Sequence, residues 1–234
     1  MANPQAPARR SGRSGTLFVL VGAAAALLLA GAAAWAGLSS SPISPPVRLV
    51  ATSVPGAAAY TRPMGTDQAG LIPPAGTGGA VSGDAEALYA TPGPAPACDV
   101  AGMTAALASD PARARAWGGA LGLADPSGLT PVLLRSDLSV VEHTYARGAD
   151  VANPVILKAG TAILVDAAGE PRVKCQNGNP LTAGRTPDRA GGFLGDPWSF
   201  FAPTTVITVS PGESRPALTV LDLSTGDLTT VPTP

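Results

Sequence analysis

Apolar and polar positions along the chain follow three regimes. From Thr16 to Leu38 it reads TLFVLVGAAAALLLAGAAAWAGL, 23 residues without a charge and apolar on every face. At about 1.5 Å per residue, a helix of that length crosses the roughly 30 Å hydrocarbon layer. Between 99 and 122 the apolar residues recur at helical spacing. Val100, Met103 and Leu107 share one face, and Trp117 and Leu121 share another further on. Asp110-Pro111 reads as a cap followed by proline at the first helical position. After Pro126-Ser127-Gly128 the period drops to two. LTPVLL (129–134), SVVEHTY (139–145), PVILK (154–158) and VITVS (206–210) read as strands. TAILVD (161–166) and PRVKC (171–175), joined by AAGE, read as a hairpin, as do ALTVLDL (217–223) and LTTVP (228–232), joined by STGD.

Upstream, SSSPISPP (39–46) is a Ser/Pro spacer and VRLVATSV (47–54) a β-branched strand. Residues 55–97 are so rich in Pro, Gly and Ala that they read as an extended surface loop. The expected fold is α+β: a short N-terminal helical hairpin, then a mainly antiparallel sheet built of hairpins, preceded by one transmembrane helix. The expected organisation is a cytoplasmic tail (1–15), a signal anchor (16–38), the spacer (39–46), a strand with its loop (47–97) and an extracytoplasmic domain (98–234).

Charge orients this picture. Arg9, Arg10 and Arg13 precede the apolar segment, and residues 1–38 hold no acid. The positive-inside bias keeps that end cytoplasmic and exports residues 39–234. A competing reading is a signal peptide cleaved at Ala36, since Ala34-Trp35-Ala36 fits a small-x-small site. The net charge is −1, and without the three N-terminal arginines the remainder is acidic. An acidic body lacking a Lys/Arg cluster excludes nucleic acid as a partner. The expected partners are the lipid bilayer through residues 16–38 and a cell-wall polymer or envelope protein.

The chain holds two cysteines and one histidine. In an oxidising exported compartment, Cys98 and Cys175 are expected to form one disulfide. A thiolate or a metal ligand are the alternatives, and they require cationic or additional ligating neighbours. His143 is expected to be structural, hydrogen-bonded to backbone. The alternative is a general base of a hydrolase or transferase, although no nucleophile motif frames it. Asn177, Gly178 and Asn179 make a tight turn or, alternatively, a ligand-contacting loop. Phe193, Trp198, Phe200 and Phe201 form either a core edge or an exposed patch. No cofactor or metal pattern emerges, because GTGGAVSG (76–83) lacks the ending of a phosphate-binding loop.

The runs ACDV (97–100), LTPVLLRSD (129–137), VVEHTYARG (140–148), LKAGTAILVDAAGEPRVKCQNGNPL (157–181) and FAPTTVITVSP (201–211) resemble a family of actinobacterial exported proteins. That family is known as a domain of unknown function. The likeness covers most of 47–234, and its most specific part is AGTA…RVKC…GNPL. It implies a membrane-anchored, extracytoplasmic domain and no activity. Asn177 stands where the family pattern has a second cysteine, which argues against Cys-x-Cys chemistry here. The functional expectation is therefore a single-pass membrane protein whose exported domain binds, scaffolds or senses. The alternatives are a His143-dependent envelope enzyme and a secreted domain released at Ala36.

Overall fold

The computed structural model describes residues 45–54, 56, 58–187 and 192–234. The expected tail (1–15), transmembrane helix (16–38), Ala36 and most of the spacer lie outside them. Among the described residues, no helix is long and apolar enough to cross a membrane.

Residues 44–234 form one unit, a large mixed sheet with two short helices, and the fold is α+β. Helix α1 (Val100–Ala108) starts where the Asp99 side chain accepts the Gly102 N–H at 2.8 Å. Helix α2 (Pro111–Leu121) starts with Asp110 accepting from Arg113 N at 3.1 Å. Met103, Leu107, Trp117 and Leu121 are buried, as the helical spacing requires. The helices do not lead the sheet, however. Strands β1 (Val47–Val50), β2 (Gly79–Ser82) and β3 (Tyr89–Thr91) precede them.

After the helices come β4 (Thr130–Leu134), β5 (Leu138–Ala146), β6 (Ala149–Leu157), β7 (Ala162–Val165), β8 (Pro171–Lys174) and β9 (Asn179–Ala183). The chain ends with β10 (Phe193–Leu194), β11 (Ile207–Ser210), β12 (Ala217–Asp222) and β13 (Leu228–Pro232). The main path across the sheet is β10-β1-β6-β5-β9-β8-β7-β4-β3-β12-β13. The hairpins supply the antiparallel ladders, as expected. The early strands enter parallel to later ones: β1 along β6 and β10, β2 along β11, and β3 along β12.

Two differences from the expected strands have physical causes. The hairpin β5–β6 is longer than its apolar runs because Arg147 and Gly148, both at positive φ, close a two-residue turn. That turn carries the poorly strand-forming Ala149–Asn153 into register with β5. Asn179-Pro180 opens strand β9 rather than ending a turn. Pro180 is tolerated because β9 meets β5 only from Leu181 onward.

The sheet is covered on both faces. Val132, Leu134, Ile163 and Val165 point to one core, which also holds Leu138, Val140 and Val220. Leu133, Leu164 and Val173 point to the other, against Met103, Leu107 and Trp117. Residues 60–90 contribute to these cores through Tyr60, Met64, Tyr89 and Ala90. The Pro/Gly-rich segment is therefore integral to the unit, not a surface excursion. A third cluster gathers Leu49, Ile156 and Val206 under Phe193, Trp198 and Phe201.

Candidate functional site

Strand β5 carries two polar rows, one on each face, because its side chains alternate. The first begins on β8, where Lys174 lies in register with Asn179 of β9. It continues to Glu142 of β5, which pairs with Leu181 on one side and with Asn153 of β6 on the other. Four adjacent strands thus place Lys174, Asn179, Glu142 and Asn153 along one line. Asn177 joins from the turn before β9.

This row is buried. Lys174, Asn177 and Asn179 have 0% exposure and Glu142 has 5%. Glu142 Oε1 accepts from Asn177 Nδ2 at 2.8 Å and from Asn179 Nδ2 at 3.0 Å. Lys174 Nζ stands 3.7 Å from the same oxygen and donates to the Val54 carbonyl at 3.2 Å. Burying either ion alone would cost several kcal/mol, so their pairing is a condition of the fold. Glu142 Oε2 accepts no hydrogen bond from the described residues. Glu142 lines a pocket of about 490 Å³, together with Arg48, Val54, Gly56, Ala58, Thr144 and Asn153. Asn153 Nδ2 is committed to Thr144 Oγ1 and the Val151 carbonyl. Its carbonyl oxygen accepts no hydrogen bond from the described residues. A larger hollow of about 700 Å³ lies beside Cys98. It is wide open, walled largely by prolines and backbone, and brings together no comparable set of buried polar groups.

The second row holds His143. Its partners are side chains rather than the expected backbone groups. Nδ1 lies 2.7 Å from Asp150 Oδ2 and Nε2 3.0 Å from Thr182 Oγ1. Asp150 can only accept, so in the neutral ring Nδ1 carries the proton and Nε2 accepts from the Thr182 hydroxyl. Tyr60 also donates its hydroxyl to Asp150, at 2.8 Å. Burial, then that hydrogen bond, push the Tyr60 hydroxyl well above the ordinary tyrosine range. Hydroxyl, imidazole and carboxylate stand in the order of a nucleophile triad. The small hollow that touches Thr182, about 10 Å³, is lined by neither His143 nor Asp150.

The disulfide fastens both rows to the helices. Cys98 precedes the cap of α1, Cys175 follows β8, and the two are bonded with Cα atoms 5.8 Å apart. Residues 60–66 run between the two segments this bridge joins. Thr61 N donates to Asn177 O at 2.8 Å, Met64 N to Cys175 O at 3.0 Å and Asp99 N to Met64 O at 2.6 Å. A Cβ on Gly65 would overlap the Cys175 Cβ and stand 2.8 Å from the Ala97 carbonyl oxygen, so only glycine fits against the bridge. Trp117 Nε1 reaches across to the Gly178 carbonyl at 3.0 Å. The turn 177–179 therefore faces inward and shapes the pocket through Glu142, which sequence reasoning missed. The available signal was thin: Lys174 is one of two lysines in the chain, and it falls at a polar position of the alternating run PRVKC.

Among the described residues, no group of three or more His, Cys, Asp or Glu side chains is placed to hold a metal ion. No curated protein matches the chain, and no solved structure does. A family model does match, over residues 79–233, which run from the first residue of β2 to just past β13 and include both polar rows. That span exceeds half of the chain, so the protein belongs to the family described as Domain of unknown function (DUF6777).

Proposed function

We propose that the protein is a single-pass envelope component whose exported domain binds a hydroxyl-bearing ligand in the Glu142 pocket and performs no chemistry on it. Residues 16–38 anchor it, the N-terminus faces the cytoplasm, and the ligand is a cell-wall polymer. The observation that carries this reading is a buried carboxylate, one oxygen of which is held by two amides, in the wall of a pocket. Lys174 offsets the Glu142 charge and Arg48 stands nearby, so the pocket favours neutral donors such as sugar hydroxyls over cations. The test is co-sedimentation of the full chain, in detergent, with purified cell-wall polysaccharide. Wild type is expected to sediment with the polymer, while Asn153→Leu, which removes an acceptor without touching the ion pair, releases it by roughly tenfold, the equivalent of about one hydrogen bond. Equal sedimentation of both proteins would overturn the assignment of the pocket.

The arrangement Thr182–His143–Asp150 supports a second reading, an envelope hydrolase. Its test is hydrolysis of p-nitrophenyl acetate by wild type and His143→Ala. The expected outcome is equal, background-level rates, with a lower melting temperature for the variant. A rate that depends on His143 would favour the enzyme.

A further inference from the structure

The aromatic residues near β10 divide into a pinned platform and a displayed rim. Trp198 Nε1 donates to Asp137 Oδ2 at 3.0 Å, and Asp137 Oδ1 accepts the Ala159 N–H at 2.9 Å. Phe201 packs edge-on against both Trp198 and Phe193, with centroids 5.1 and 5.3 Å away. Above this platform Phe200 is 71% exposed and Ile72 64% exposed, and the two line one hollow with Trp198 and Lys158. Phe200 holds φ at +68°, a conformation that costs a residue with a side chain on the order of 1 kcal/mol. The backbone is thus strained in a way that leaves a large apolar ring in water.

The position of this rim in the chain identifies its occupant. β10 pairs with β1 through Val47↔Phe193 and Arg48↔Leu194, and Leu194 is also exposed. β1 is the first described strand, and the spacer 39–46 alone separates it from the apolar segment 16–38. Eight residues, fully extended, span at most about 28 Å. In the anchored reading, that length tethers the start of β1, the strand paired with β10, to the membrane. Tryptophan, phenylalanine and a nearby lysine are the side chains that settle at a membrane interface. The exported body is acidic, so apolar insertion, rather than attraction to anionic lipid, would hold it there.

We infer that the rim formed by Ile72 and Phe200 rests in the interfacial layer of the membrane that holds the anchor. This rests on the reading of 16–38 as an anchor. The chain has three tryptophans, Trp35, Trp117 and Trp198. The full chain carrying Trp35→Phe is reconstituted in phosphatidylcholine vesicles, with or without bromine on the upper acyl carbons. Trp117 is fully buried and serves as the constant background. Brominated lipid is expected to quench the Trp198 share of the emission, and the change Ile72→Ser with Phe200→Ser to abolish that quenching. Quenching that survives both substitutions would overturn the assignment of the rim. Absence of quenching in a chain that resists alkaline extraction would overturn the docking alone, and cross-linking of two copies through Phe200 would do the same. A chain stripped by alkali would overturn the anchor and the docking together.

Discussion

Glu142→Ala destabilises the protein by about 3–5 kcal/mol in urea unfolding, because it leaves Lys174 charged, wholly buried and without its carboxylate. It also strips the acceptor from two buried amides, Asn177 and Asn179. An ordinary domain has about 5–15 kcal/mol to lose, so this loss is a large share of the total. The double change Glu142→Leu with Lys174→Met is expected to regain most of the loss, since apolar replacement of a whole buried pair is commonly neutral. A single-variant loss near 1 kcal/mol, or a double variant no better than the single, would show that the pair does not control the site.

Replacing Cys98 and Cys175 by alanine is expected to lower stability by about 4 kcal/mol. The bridge closes a loop with a sequence separation of 77, and the estimate follows the chain-entropy account. Hydrogen exchange places the damage: α1 and residues 60–66 lose protection first, because those residues run against the bridge. Two free thiols in the wild type under denaturing, non-reducing conditions would refute the bridge. A loss below about 1 kcal/mol would show that the hydrogen bonds of residues 60–66 hold this region without it.

What the sequence disclosed was local. Asp110-Pro111 marked a helix start because a cap and its proline are neighbours in the chain. The hairpin 161–175 was legible because the strands and the turn at Gly169 are contiguous. By contrast, the parallel partners of β1, β2 and β3 lie more than 100 residues away, and nothing in VRLV, GAVS or YAT specifies them. The candidate site failed for the same reason. The row Lys174–Asn179–Glu142–Asn153 exists only once three ladders are in register, and a slip of one residue would turn each member to the opposite face. His143 was noticed as the only histidine, but its partners Asp150 and Thr182 stand on two other strands. The aromatic cluster was seen as either core or patch. It is both, because Phe200 departs from its neighbours by a single backbone dihedral.

The parallel entry of β1, β2 and β3 also dictates an order of folding. The parallel partner of each is synthesised much later, β6 and β10 for β1, β11 for β2, and β12 for β3, although β3 can first pair with β4. Pairings of such sequence separation are slow to form. A chain threaded across a membrane from its N-terminal side could close β3 on β4 and β1 on β6 part-way through, but β2 would stay unpaired until β11 had crossed. During that interval the edge of β2 is open to pairing with other chains, so the yield of this protein depends on how quickly β11 arrives.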